Sequence, residues 1–113
     1  MAYDKDLADR VREFLSGEEQ VREVKMFGSL AFMVNGKMAV AANPSGQLML
    51  RCDPDRAEAL LERDGADVAE MRGKEMGKGW IVIAEYGIES DQAFGSWMNE
   101  ALEYNGKVSG SGN

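Results

Sequence analysis

The fold of this chain is decided by the stretch Leu30-Ala-Phe-Met-Val34, Asn35-Gly36, Lys37-Met-Ala-Val-Ala41. Two apolar runs of strand length flank an Asn-Gly pair, and this pair favours the positive φ angles of a two-residue type I′ turn. The stretch therefore predicts an antiparallel β-hairpin with its turn at Asn35-Gly36. A second turn sequence, Asn43-Pro-Ser-Gly46, leads into Gln47-Leu-Met-Leu-Arg51, which extends the hairpin to a meander of three or four strands.

Three segments outside the meander have the apolar spacing of amphipathic helices. The first begins at Asp4, whose side chain can accept from free amides at a helix N-terminus, and stops at Ser16-Gly17. The second begins at Asp53-Pro54, because proline at the first helical position has no amide to leave unpaired, and ends at Gly65. The last is capped by Ser90 and places five apolar residues on one face: Phe94, Trp97, Met98, Ala101 and Leu102.

Two more strands are expected between the second and last helices, from Val68 to Met71 and from Trp80 to Ile83, joined by a glycine-rich connection. The predicted fold class is α+β, a two-layer domain in which an antiparallel sheet of about five strands carries three helices mainly on one face. This domain is predicted to span residues 1–104. Residues 105–113 have too little apolar surface to offset the entropy of ordering, so they are predicted to form a disordered tail.

Length and charge limit the classes of function. The 113 residues suit one domain, and their net charge of −7 disfavours tight, direct binding to nucleic acid. The apolar runs are far shorter than the roughly 20 residues that span a bilayer, so no membrane insertion is expected. A single cysteine, Cys52, and the lack of a basic-then-apolar leader favour a reducing, cytoplasmic location.

Residues suited to catalysis or metal binding are scarce. The chain has no histidine, which removes the commonest general base and the commonest nitrogen ligand of zinc. Cys52 precedes a predicted helix start, where a helix dipole can lower a thiol pKa. A small buried apolar residue is the favoured interpretation, because free cysteine is usually buried and the sequence offers no basic partner. Acidic residues cluster at turns and helix starts, and the loop from Arg72 to Gly79 lacks the spacing of a phosphate-binding loop. We therefore predict no catalytic, cofactor-binding or metal-binding residues, and no enzyme activity.

Both faces of the predicted sheet are partly apolar, because apolar residues stand at consecutive strand positions. Three methionines, Met33, Met38 and Met49, are candidate interface residues on a face that the helices leave uncovered. Filling of the core by these flexible side chains is the alternative. Four large aromatic residues are interpreted as core anchors: Phe27, Phe32, Trp80 and Trp97.

A longer motif surrounds the hairpin, Lys25-Met-Phe-Gly-Ser-Leu-Ala-Phe-Met-Val-Asn-Gly-Lys-Met38. It resembles the signature hairpin of the TfoX (Sxy) N-terminal domain family, written as Met-Phe-Gly-Gly, an aromatic residue three positions on, then Asn-Gly and Met. The similarity covers roughly residues 3 to 104. Ser29 stands where the family often has glycine, and the connection before Trp80 is longer than in many relatives. The resemblance also includes a Gly-Trp pair, Gly79-Trp80, at the start of a later strand. The motif residues are Met26, Phe27, Gly28, Phe32, Asn35, Gly36, Met38, Gly79 and Trp80.

The resemblance implies a protein-interaction module that works with the transcription machinery through protein contacts. With the apolar second face of the sheet, the expected partner is an unknown protein or a second copy of the chain. Family members linked to competence genes carry a second, C-terminal domain. This chain stops at Asn113, so we expect a stand-alone single-domain member. Two other functions stay open: a small-ligand-binding domain or enzyme that uses Cys52 or the loop at 72–79, and a chaperone-like structural dimer.

Overall fold

The computed structural model describes residues 3–26, 28–71 and 73–110. Within these ranges the helices are α1 (Lys5–Phe14), α2 (Ala57–Leu60) and α3 (Asp91–Asn105). The strands are β1 (Val21–Met26), β2 (Ser29–Val34), β3 (Lys37–Ala42), β4 (Leu48–Arg51), β5 (Ala66–Val68), β6 (Glu70–Met71), β7 (Lys74–Glu75) and β8 (Trp80–Ile83). None of the described helices is long and apolar enough to cross a membrane.

Strands β1 to β4 form the predicted antiparallel meander, and β8 and β5 extend it to a six-stranded sheet in the order β1-β2-β3-β4-β8-β5. Every pairing in this sheet is antiparallel. The α+β class and its antiparallel sheet are therefore confirmed, with six strands in place of about five. The expected strand from Val68 to Met71 is divided, because β5 pairs with β8 whereas β6 pairs with β7 in a separate two-stranded ribbon.

The predicted turn joins β2 to β3. Asn35 has a φ angle of 55° and Gly36 one of 83°, and the flanking residues Val34 and Lys37 pair with each other. Two consecutive positive φ angles between paired residues define a type I′ hairpin turn, so the prediction is confirmed. The turn fixes the register of the sheet, and the register decides which side chains share a face.

One irregularity in β3 changes which side chains reach each face. Phe32 of β2 pairs with Val40 of β3. The next residue, Met33, pairs with Met38, so Ala39 is the extra residue of a β-bulge. Side chains normally alternate along a strand, and the bulge shifts this alternation by one position. As a result Met38 and Val40, two residues apart, lie on opposite faces of the sheet.

The first and last helices begin at their predicted caps. Asp4 Oδ1 accepts a hydrogen bond from the Leu7 amide at 2.9 Å, and Ser90 Oγ accepts one from the Ala93 amide at 3.0 Å. An acceptor at this position satisfies an amide that has no carbonyl partner inside the helix. Both long helices therefore start where the sequence predicts.

The second helix is shorter than predicted. Asp53 Oδ1 accepts from the Asp55 amide at 2.9 Å, but Pro54–Arg56 forms a 3₁₀ turn and α2 adds only four residues. Beyond α2 the chain tightens into turns with bonds to carbonyl groups three positions earlier, such as Arg63 N to Leu60 O at 3.1 Å. The prediction of one continuous helix is therefore wrong for the second half of this segment.

The hydrophobic core lies between the helices and one face of the six-stranded sheet. The helices contribute Leu7, Ala8, Val11, Ala57, Leu60, Phe94, Trp97, Met98 and Ala101. The strands contribute Leu30, Phe32, Val34, Ala39, Val40, Ala42, Leu48, Leu50, Ile81 and Ile83. Phe32 and Trp97 are almost fully buried, which confirms them as core anchors, whereas Phe27 lies outside the described residues.

The last helix continues one residue past the predicted domain boundary. Asn105 is buried, and its Nδ2 donates to the Val34 carbonyl at 3.0 Å, so the end of α3 is tied to the β2–β3 hairpin. A buried side chain with such a bond belongs to the folded domain, and the start of the predicted tail is corrected accordingly. Gly106–Gly110 continues the helix with π-type geometry, and residues 111–113 lie outside the described residues.

Candidate functional site

The sheet face opposite α1 and α3, which we call the open face, carries a row of side chains across all six strands. Each member pairs directly with the next in the register, which runs Val24, Ala31, Ala41, Met49, Val82 and Asp67. Directly opposed residues of antiparallel strands have side chains on the same face, about 4.5–5.5 Å apart. Because all members except Asp67 are apolar, this apolar row is a continuous strip.

The two alanines of the apolar row form a buried floor. Ala31 and Ala41 are 0% and 2% exposed, although neither belongs to the core cluster on the other face. Alanine is short, so the longer side chains beside it on the open face shield it from solvent. Two of those neighbours in the row, Val24 beside Ala31 and Met49 beside Ala41, are half-buried. The open face is therefore an apolar surface in which the short alanines are buried and the longer side chains beside them are partly accessible to solvent.

The three methionines predicted as interface candidates all lie on the open face. Met33 pairs directly with Met38, and Met49 is a member of the apolar row. All three are half-buried, and none belongs to the core cluster. Among the residues that the structure describes, the methionine in the core cluster is Met98 of α3. Flexible, polarizable side chains at a surface are typical of surfaces that adapt to a partner.

An arginine at the end of β4 lies close to two aromatic rings. The Cζ atom of Arg51 is 5.5 Å from the ring centroid of Trp80 and 5.4 Å from that of Tyr104, both within cation–π range. In the part of the chain that the structure describes, no carboxylate forms a salt bridge with Arg51. Trp80 is half-buried on the open face, so its interpretation as a core anchor is wrong. In this strand Ile81 and Ile83 alternate into the core.

Negative charge is concentrated away from the open face. Its charged sheet residues are Arg22, Arg51 and Asp67, whereas the whole chain has a net charge of −7. Arg22 also borders, with Met33, a shallow cleft of about 330 Å³. By contrast, the acidic residues that line a groove of about 460 Å³ on the exposed side of α3 are Asp91, Glu100 and Glu103. The open face is thus less acidic than the helical side.

Besides Gly36, two other glycines of the sequence motif have left-handed backbone conformations, with φ angles of 81° at Gly28 and 93° at Gly79. A Cβ atom at Gly79 would lie 2.8 Å from the carbonyl oxygen of Cys52, which is too close for any other residue. The Cys52 amide donates to the Gly79 carbonyl at 2.7 Å. Gly79 therefore holds the ends of β4 and β8 together, next to the ring of Trp80.

The thiol of the chain is buried and protonated. Cys52 is fully buried, and burial raises the pKa of its thiol to about 11, with smaller contributions from the carboxylates of Glu100 and Asp53. Because the thiolate is the nucleophilic form, a thiol with this pKa is unreactive at neutral pH. The interpretation of Cys52 as a small buried residue is confirmed.

The carboxylates of the described residues have structural partners or face solvent. Asp4 and Asp53 cap helical turns, as predicted. Arg12 donates two hydrogen bonds of 2.6 and 2.9 Å to Glu23, which lower the pKa of that carboxyl. Over residues 3–26, 28–71 and 73–110, no three Asp, Glu or Cys side chains come together in a way that could hold a metal ion. In the loop at 72–79, β7 pairs with β6, and Arg72 lies outside the described residues.

Sequence reasoning missed Val24 and Val82 of the open face. It also missed the contacts that Arg51 makes with Trp80 and Tyr104, three residues that we call the Arg51 cluster. Strand alternation is the signal that identifies Val82, because the isoleucines on either side of it belong to the core. Arg51 and Tyr104 are more than fifty residues apart in the sequence, and no local pattern predicts their contact.

Comparison with known proteins gives a family for this fold. A family model, the TfoX N-terminal domain, matches residues 13–104. The match includes the whole six-stranded sheet, α2 and all of α3 except its last residue. Neither a search of curated proteins nor a search of solved structures finds a match. From the matched span and the hairpin that carries its motif, we conclude that the chain belongs to the TfoX N-terminal domain family.

Proposed function

We propose that this domain is a non-catalytic module that binds a protein partner through the open face and acts on transcription indirectly. The observation that carries the proposal is the apolar row, together with Met33 and Met38, on a face that α1 and α3 leave uncovered. A sheet with helices on one side leaves its other side to water or to a partner. Water is a poor solvent for a strip of this composition, which favours a partner.

The Arg51 cluster supports a protein as the partner. Arginine, tryptophan and tyrosine are the residue types enriched among the few side chains that dominate binding energy at protein interfaces. Trp80 and Tyr104 are half-buried, and the guanidinium of Arg51 is within cation–π range of both rings. Such a cluster loses little side-chain entropy when a partner covers it, because its members are already packed against each other.

The charge of the chain supports an indirect effect on transcription. A net charge of −7 repels a phosphate backbone, so contact with DNA would have to go through another protein. Membership of the TfoX N-terminal domain family supports the connection to gene regulation. A regulator that binds a protein of the transcription machinery affects gene expression and needs no direct contact with DNA.

Photo-cross-linking from a chosen position tests this proposal and identifies the partner. A photoreactive amino acid is incorporated in place of Met49 on the open face, and a matched variant carries it in place of Ser96 on the exposed side of α3. After irradiation in living cells, the Met49 variant should give a discrete adduct with another protein that the Ser96 variant does not give. Identical adduct patterns from both positions, or none from Met49, would contradict the proposal.

A further inference from the structure

The two edges of the six-stranded sheet differ in length. β5 forms one edge with three residues, whereas β1 forms the other with six. An edge strand presents amide and carbonyl groups that can pair with another chain, and short edge strands reduce that capacity. β1 is therefore the edge with the greater capacity for pairing.

The direction of the backbone groups in β1 follows from a contact just before the strand. The Asn35 amide donates to the Gln20 carbonyl at 2.9 Å, so the backbone groups of Gln20 point towards β2. Because these groups alternate along a strand, those of Val21, Glu23 and Lys25 point away from β2. Among the described residues, no hydrogen bond engages these outward groups.

The side chains of β1 are complementary to those of a second β1 when the two strands pair about Val24. When two copies of an antiparallel strand pair, outward residues pair with outward residues. A two-fold axis at Arg22, Glu23 or Lys25 places that residue opposite its own copy, and directly opposed like charges are destabilising. An axis at Val24 instead places Glu23 of each copy opposite Lys25 of the other.

The surroundings of these residues favour the register centred on Val24. Arg12 holds the Glu23 carboxylate through two hydrogen bonds, which orients it beside the edge of the sheet. Lys25 is exposed, and no salt bridge engages it in the described part of the chain. Val24 ends the apolar row on the open face, so a copy of Val24 opposite it would extend that row into the second subunit.

We propose that β1 is the interface of a two-fold symmetric dimer, in which the β1 strands of two copies of this chain pair antiparallel about Val24. The two sheets become one continuous sheet, with Glu23 and Lys25 paired across the interface and one uninterrupted open face. This inference does not rest on the proposed function, because the edge of the sheet and its open face are separate surfaces. Mutual repulsion of two acidic copies limits the affinity.

A symmetric disulfide tests the register. Val24 and its copy form a non-hydrogen-bonded pair with Cα atoms about 4.5 Å apart, which is within disulfide range. Val24→Cys should therefore give a covalent dimer under mild oxidation. Arg22→Cys is the matched control, since it lies on the same strand and the same face but about 13 Å from its copy along the strand direction. The buried Cys52 is common to both variants.

Charge exchange tests the paired side chains. Lys25→Glu alone and Glu23→Lys alone should each sediment as monomers at a concentration where the unmodified chain is dimeric. An equimolar mixture of the two variants restores opposite charges at both positions and should recover the dimer. Met49→Lys, on the open face, should leave the dimer intact, which separates this interface from the proposed partner surface.

The proposal is overturned if the unmodified chain stays monomeric at every concentration, or if Lys25→Glu remains dimeric. Equal covalent yields from Val24→Cys and Arg22→Cys would also overturn it. Circular dichroism verifies that each variant is folded. If either charge variant is unfolded, the covalent yields of Val24→Cys and Arg22→Cys decide whether β1 is the dimer interface.

Discussion

Phe32 and Met33 are neighbours in β2 and lie on opposite faces of the sheet. Phe32 is fully buried in the core under the helices, whereas Met33 is half-buried beside Met38 on the open face. Both side chains are large and apolar, so hydrophobicity alone does not separate core from surface. What separates them is the presence of α1 and α3 over one face. The helices cover the side that receives Phe32, and the other side keeps an apolar surface without a cover.

The contrast between the faces depends on one bulge and one turn. The type I′ turn at Asn35-Gly36 sets the pairing of β2 with β3, and Ala39 shifts the alternation within β3. Without the extra residue, Met38 would share a face with Val40, and the methionine pair on the open face would be lost. A small number of backbone features therefore distributes similar side chains between a core and an accessible surface.

The largest effect should come from a lysine placed on the covered face of β4. Leu50→Lys buries an unpaired charge in the core and should cost more than about 4 kcal/mol, a large part of the stability of a small domain. Met49→Lys, one residue away, lets the ammonium group reach solvent from the open face and should cost about 1 kcal/mol or less. Thermal unfolding compares the two, and similar losses would show that both faces are core.

A smaller effect is expected at the turn that sets the register. Gly36 has a φ angle of 83° and open space around its Cβ direction, so Gly36→Val introduces backbone strain without a collision. Left-handed geometry at a non-glycine residue costs about 1–2 kcal/mol, which lowers Tm by several degrees. Gly17→Val is the control, since that glycine also has open space but no positive φ. Equal Tm values for both variants would argue against strain at Gly36.

The last effect is confined to alkaline pH and concerns the buried thiol on the covered side of the sheet. Cys52 has a pKa raised to about 11, against 9.0 for an unperturbed thiol. Between these values the unfolded chain loses the proton while the folded domain keeps it, so the thiol destabilises the fold as pH rises from about 9 to 11. The free energy of unfolding should fall more steeply for the unmodified chain than for Cys52→Ala in urea titrations over this range. Parallel pH profiles would show that the thiol is accessible to solvent.

Local patterns in the sequence predict much of this fold. The caps at Asp4 and Ser90, the turn at Asn35-Gly36 and the meander all depend on neighbouring residues, and all are confirmed. The second helix is the main error, because its apolar spacing does not reveal that turns with short-range bonds replace it after Leu60. The length of α2 depends on where the chain must turn to enter β5, and tertiary structure sets that position.

The candidate site could be predicted only in part. Consecutive apolar residues in β2 and β3 indicate a second apolar face, and the structure places Met33, Met38 and Met49 there. The position of Trp80 could not be assigned from its size, because a large aromatic residue suits either a core or an interface. The contacts of Arg51 with Trp80 and Tyr104 depend on how α3 ends against the sheet, and side-chain spacing along the chain carries no such information.

The central claim, that the open face binds a protein, is tested most directly by capture of the partner with immobilised domain. The partner is the protein that photo-cross-linking identifies. The amount of it that is retained is measured for the unmodified domain, for Met49→Lys and for Ser96→Lys, which adds the same charge on the exposed side of α3. A charge in the centre of an apolar interface should reduce retention at least about tenfold for Met49→Lys, with no change for Ser96→Lys. Equal retention by all three folded domains would contradict the claim.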